Sequence, residues 1–209
     1  MGGLKSMSVG FSAWQEPVLQ SQFYPDDLPE DWRADYYFNN FRVAMAPQHD
    51  WMQWDQARLI SLDEAMLAEN FVYLNWSDVS AASVAKVQWI KGALGSKLAG
   101  LLLTGGWTAD LYHEHHSIFN GLAVTLMQPL SASWVLSSWQ WDYNEVCFSG
   151  EPLGMFDRLP ANLKEQRQLI EAFRTTLPGT SAVPVFVNAN QVSIKQLTDL
   201  SSMIELLGY

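Results

Sequence analysis

Three of the chain's four histidines, His113, His115 and His116, fall within four positions of the stretch TADLYHEHHSIFNG, residues 108–121. Imidazoles this close together raise two chemistries, metal ligation and proton transfer. A metal needs three or four donors converging on one point. On a helix starting near Thr108, Asp110, His113 and His116 recur at three-residue spacing and share a face; a strand would pair His113 with His115 instead. The sequence favours the helix, because the segment follows the Gly105–Gly106 turn and has no run of branched residues around the histidines. The helical zinc motif places two histidines four apart with a glutamate beside the first. Here Glu114 stands beside His113, but Ser117 holds the second position. Neighbours on a helix are turned about 100° from one another, so the three imidazoles do not converge, and neither a metal nor a cofactor is expected. Asp110 and His113 are the candidates for acid–base work, His113 because an imidazole titrates near neutral pH. Glu16, just past the first strand, is the third catalytic candidate.

Other chemistries are absent from the sequence. Cys147, the one cysteine, sits between apolar neighbours in EVCFSG and reads as a buried structural thiol. There is no serine elbow, no dinucleotide fingerprint and no phosphate loop. The net charge is −10, from 22 acids against 12 bases. That balance repels nucleic acid at long range. No stretch is apolar enough to span a membrane or to act as a signal peptide, and a lone cysteine suits a reducing compartment, so a cytoplasmic location is expected.

The elements that must position these residues alternate. Strands are expected at 8–14, 41–47, 71–76, 97–106, 122–129, 133–139, 145–150 and 182–190. Helices are expected after Pro29, after a Ser61/Glu64 capping box, from Ser77 to a stop at Gly92, after an Asn162/Glu165 cap, and over the last stretch, where Ile194, Leu197, Leu200, Ile204 and Leu207 mark one face. Continuous apolar strands such as FVYLNW and LAGLLL indicate parallel strands covered on both faces. Eight strands with interspersed helices in one domain, 1–209, suggest an α/β barrel. A complete barrel of this class needs about 250 residues, so an irregular or incomplete TIM (β/α)8-like barrel is expected, with an open, mostly parallel sheet as the rival. Pairing of strand 8–14 with strand 182–188 distinguishes the two.

In a barrel, chemistry gathers at the C-terminal ends of the strands. Those ends carry Trp14, His49, Asn75, Trp76, Trp107, Trp139 and Asn188, a set that suits a neutral or weakly charged small molecule: ring faces with hydrogen-bonding groups between them. The alternative is that the large side chains fill a barrel short of loops and pack against one another.

Segment 9–47, VGFSAWQEPVLQSQFYPDDLPEDWRADYYFNNFRVAMAP, resembles the DUF72 or YecE-like family, through Gly10 and Trp14, then Phe23-Tyr24-Pro25, then Tyr36, Tyr37 and Phe41. The last strand and helix resemble the family weakly, with Asn188 at a strand end. The resemblance implies a TIM-barrel relative with no settled activity. The family's second strand carries a Val-Glu pair; here it reads Val43-Ala44-Met45, and the late His-Gly segment is missing. The resemblance therefore implies a diverged, shortened member lacking those groups. Three functions follow as expectations: a small-molecule-binding, enzyme-like protein with a Trp-lined pocket; a non-catalytic interaction protein that lost the site; or a metal-dependent hydrolase or isomerase built on His113 and His116.

Overall fold

Strands such as Phe71–Trp76 and Leu98–Leu103 have no polar face to offer water, and they lie deep inside a nine-stranded sheet flanked by helices. The computed structural model describes residues 6–15, 17–179 and 182–208, with the backbone alone for Gln20. The strands are β1 (Met7–Ser12), β2 (Val43–Ala46), β3 (Phe71–Trp76), β4 (Leu98–Leu103), β5 (Ala123–Pro129), β6 (Gln140–Tyr143), β7 (Val146–Gly150), β8 (Gly154–Phe156) and β9 (Val183–Asn188). Their order is β6-β7-β5-β4-β3-β2-β1-β9-β8. Strands β1 to β5, β8 and β9 run parallel, and β7 lies antiparallel to both β5 and β6.

The first strand pairs with the last, in register from Met7↔Val183 to Ser12↔Asn188. The sheet thus curls, through 288°, and the architecture is an incomplete TIM-like barrel. The two edges, β6 and β8, share no ladder. Aromatic side chains fill the seam. Trp141 of β6 lies 5.6 Å from Phe156 of β8, and Tyr143 lies 5.5 Å from the same ring. Phe173, from helix α7 (Leu163–Thr176), wedges in 4.7 Å from Trp141. A separate small cluster of Val43, Met45, Tyr73, Leu102, Leu153 and Phe186 fills the barrel's inside, so among the described residues the interior is packed with side chains.

The start of the sheet has an unusual join. β1 and β2 pair directly only at Ser12↔Met45. Below that point the Tyr37 hydroxyl completes the connection: it accepts from Phe11 N at 2.8 Å and donates to Val43 O at 3.0 Å. Tyr37 comes from α2 (Arg33–Asn40) and is fully buried. Gly10 makes room for the join, since a Cβ there would lie 1.9 Å from Val43 O.

The remaining helices are α1 (Pro17–Gln22), α3 (Gln48–Trp51), α4 (Gln56–Ala65), α5 (Ala81–Leu94), α6 (Ala109–Glu114) and α8 (Ile194–Leu206). Several boundaries differ from expectation. Asp55, accepting from Arg58 N, caps α4, and Ser61 is interior to that helix. Ser80 and Ser83 form the capping box of α5, so Ser77 stays in the loop. Gly92 continues that helix, and Gly95, at φ 54°, ends it. The segment 133–139 is a loop; the strand follows it, because Trp139 is drawn towards α7, where its indole N–H donates to Thr176 Oγ1 at 3.2 Å. Gln166 belongs to the buried face of α7, its amide donating to Pro160 O at 2.7 Å.

Candidate functional site

The C-terminal ends of β2, β3 and β4 surround a cleft of about 390 Å³, lined by Pro47, Gln48, His49, Met52, Asn75, Ser77, Asp78 and Thr104. Local sequence explains the arrangement. Pro47 ends β2 and leads directly into the four-residue α3. That turn aims Gln48 at the β3–α5 loop. Gln48 Oε1 accepts from Ser77 N at 2.8 Å, Asp78 N at 2.8 Å and Ser77 Oγ at 3.1 Å, while its Nε2 donates to Asp78 O at 2.9 Å. Four bonds from one side chain hold the loop as a rigid wall. On the floor, Thr104 Oγ1 donates to Asn75 Oδ1 at 2.8 Å. That bond orients the amide so that the Asn75 NH2 is the group left to donate to a ligand. His49 stands on the lip, its Nε2 3.3 Å from Asp50 Oδ1.

The expected tryptophans do not line this cleft; Trp76 and Trp107, with Trp51, pack behind it, whereas Trp139 lies against α7. Trp14 and Trp76 are fully buried, Trp107 is 2% exposed and Trp139 6%. Trp76 and Trp107 pack edge to face at 4.9 Å, and Trp51 meets Trp76 at 6.4 Å. Their indole N–H groups are used locally. Trp51 donates to Asn75 O at 2.9 Å, Trp107 to Trp76 O at 2.9 Å, and Trp76 to Asp78 O at 2.9 Å. Of the expected binding residues, the cleft therefore brings together His49 and Asn75. Trp14 packs at the end of β1 against Tyr37, 5.1 Å away. Asn188 is engaged in its own turn, accepting from Asn190 N at 2.9 Å.

The acid–base candidates are dispersed. Glu16 lies outside the described residues. Asp110 is exposed on the first turn of α6, which Thr108 caps as its sequence suggests. His113 lines a different groove, of about 530 Å³, together with Tyr112, His116, Trp134 and Glu151. The histidines themselves diverge: His116 Nδ1 contacts His113 O at 2.8 Å, and His115 packs on Trp107 at 6.4 Å. Among the described residues no group of three His, Cys, Asp or Glu side chains is placed to hold a metal. Cys147 is buried, and burial first, with Asp142 beside it, pushes its thiol up to about 11, which keeps it protonated and unreactive.

Ser77 and Met52 are cleft residues that strand-end reasoning passed over. The Asn-Trp-Ser-Asp run was the available signal, since Ser77 follows the strand directly. Ala44, where the resemblance leads one to expect a carboxylate, is fully buried among apolar side chains.

No protein-family model matches the sequence, and no curated protein sequence does either. Solved structures do. A DUF72 family protein from Thermotoga maritima aligns at a TM-score of 0.57 and 12% identity, over 96% of this chain and 99% of that one. A DUF72 family protein from Enterococcus faecalis aligns at a TM-score of 0.50 and 14% identity, over 97% of each chain. Among the described residues no helix is long and apolar enough to cross a membrane. Over nearly its whole length the chain has the fold of these DUF72 proteins, the family that its residues 9–47 resemble.

Proposed function

We propose that the chain is a shortened, diverged DUF72-type barrel that binds a small, neutral, polar molecule in the strand-end cleft. The observation that carries this is the Thr104–Asn75 hydrogen bond, which leaves an oriented amide donor in a cleft of mixed polar and apolar lining at the end of the barrel where ligands gather. Gln48 stiffens the wall, and His49, beside Asp50, and Asp78 are the titratable side chains on the cleft, so proton transfer at this site would use one of them. The dispersal of Asp110 and His113 favours binding over the acid–base scheme expected from the histidine segment.

The test is a chemical-shift titration of the full chain with neutral sugars, nucleosides and amides. A ligand of the cleft perturbs the amides of 47–52, 75–78 and 104, and Asn75→Ala lowers its affinity about tenfold or more. Saturable binding that Asn75→Ala leaves unchanged overturns the proposal. One observation favours the rival, a non-catalytic interaction protein. Leu163, Met203, Leu206 and Leu207 form an apolar groove between α7 and α8, and Leu206 is 89% exposed. Absence of any small-molecule response, with loss of a concentration-dependent association in Leu206→Glu, would favour that reading instead.

A further inference from the structure

For a chain with a net charge of −10, the end of β1 is anomalous. Two half-buried arginines gather there, and neither has a carboxylate within ion-pair distance among the described residues. The Arg58 guanidinium sits 5.7 Å from the Trp14 ring, and that of Arg33 sits 5.8 Å from the Tyr24 ring. The Tyr24 hydroxyl donates to Trp14 O at 3.3 Å, tying the two aromatic supports together. Both arginines act electrostatically on that hydroxyl and repel one another. Glu30 and Asp50 face Arg58 only at longer range. The phenol does not neutralise them: burial raises its pKa far above 10, so it stays uncharged.

The unpaired atoms are all donors. Among the described residues Arg33 Nε is buried without an acceptor, and so is Trp14 Nε1. A buried donor left unmade costs free energy, and a second guanidinium nearby adds like-charge repulsion. One kind of guest relieves both at once. An oxyanion supplies several acceptor lone pairs and a negative charge, and the planar guanidinium fork matches it in geometry.

We propose that Arg33, Arg58 and the Trp14 indole N–H form a site for a single oxyanion, the carboxylate or phosphate group of a small metabolite. The site uses none of the residues of the strand-end cleft and does not rest on that reading.

The experiment follows the Nε–H signals of the chain's six arginines by NMR while inorganic phosphate, or acetate, is titrated into the full-length protein at constant ionic strength against a chloride control. The expected result is a saturable shift of Arg33 and Arg58 together, with exposed Arg158 and Arg167 unmoved. Saturation by phosphate alone assigns a phosphate ester, and saturation by acetate as well assigns a carboxylate. Six signals drifting together, or none moving, overturns the proposal. Arg58→Met keeps an unbranched side chain on the Trp14 ring and removes the charge. It is expected to weaken the anion about tenfold or more while leaving the anion-free melting temperature unchanged or raised. A lowered melting temperature with unaltered anion affinity shows a structural arginine and overturns the proposal. Arg33→Lys serves as the second variant: it retains the charge and loses the Nε donor, and anion affinity equal to wild type in it also counts against the site. The panel that probes the cleft contains no oxyanion, so the two readings fail separately.

Discussion

Trp76 illustrates why a strand-end aromatic is ambiguous in a sequence. Its ring is fully buried, its indole N–H is bound to Asp78 O and Ser83 Oγ, and its backbone carbonyl accepts from Trp107 Nε1. Every polar feature that suggested ligand binding is used to position the loop after β3. Tyr37 makes the same point more strongly. Tyr37→Phe leaves Phe11 N–H and Val43 C=O without their partner in a dry site, and the expected loss is about 1–3 kcal/mol for each group stranded, to be measured by urea unfolding. Gly10→Ala meets a backbone oxygen, which has no flexible end to move aside, and should cost more than the roughly 1–3 kcal/mol of ordinary overpacking. The buried phenols also set the alkaline limit. Burial raises Tyr37 well above its ordinary value of 10.0 and pushes Tyr73 up to about 12. The folded state keeps these protons while the unfolded chain releases them, so stability is complete below pH 10 and falls as pH rises above it. Urea midpoints taken between about pH 8 and about pH 11 should decline only at the upper end, in step with tyrosinate absorbance that appears on unfolding; a flat profile would contradict the burial.

At the scale of elements, the seam between β6 and β8 is held by side chains where a barrel would use a ladder. Trp141, Tyr143, Phe156 and Phe173 bring three separate segments together, and α7 acts as the plug. Phe173→Ala should cost about 3–5 kcal/mol, the usual range for a buried aromatic, and should do so by loosening this seam more than by unravelling α7, whose Asn162 cap remains. Hydrogen exchange separates those outcomes: amides of β6 and β8 should lose protection in the variant while those of α7 keep theirs. The cap of α4 is worth less. Asp55→Ala removes one acceptor for Arg58 N, and the expected cost is about 1 kcal/mol.

Over the whole molecule, β1 to β5 with β9 form a continuous parallel arc, and the departures from a full barrel are confined to 130–162. There the chain replaces a full barrel's alternation of strand and helix with a loop, an antiparallel hairpin and a three-residue strand. The order of stability should follow. Exchange of β3 and β4 amides, in the middle of the arc, requires global unfolding, whereas β6 and β8, each with a free edge, exchange by local opening. Equal protection across all nine strands would mean that the seam is as cooperative as a closed ladder.

The apolar runs at 71–76 and 98–103 determined two-sided burial, and with it a parallel sheet, because no alternating pattern offers water a face. The resemblance of 9–47 to the DUF72 family implied a barrel relative. The helix from Thr108, the caps at Asn162 and the face of Ile194–Leu206 were equally legible, since each depends on neighbours a turn away. Helix limits at Ser61, Ser77 and Gly92 were not, because Asp55, Ser80 and Gly95 offered competing caps only a few positions off, and a local pattern does not rank them. The strand placed at 133–139 failed for a different reason: Trp139 has a buried partner in Phe173, distant in sequence, and tertiary packing overrode local β propensity. The site divides in the same way. Strand-end reasoning reached His49 and Asn75, since a strand's C-terminal residue is fixed by the strand itself. Whether a tryptophan there lines a cavity or supports one, and whether two arginines 25 positions apart come together, depends on how elements pack, and only the tertiary structure decided it.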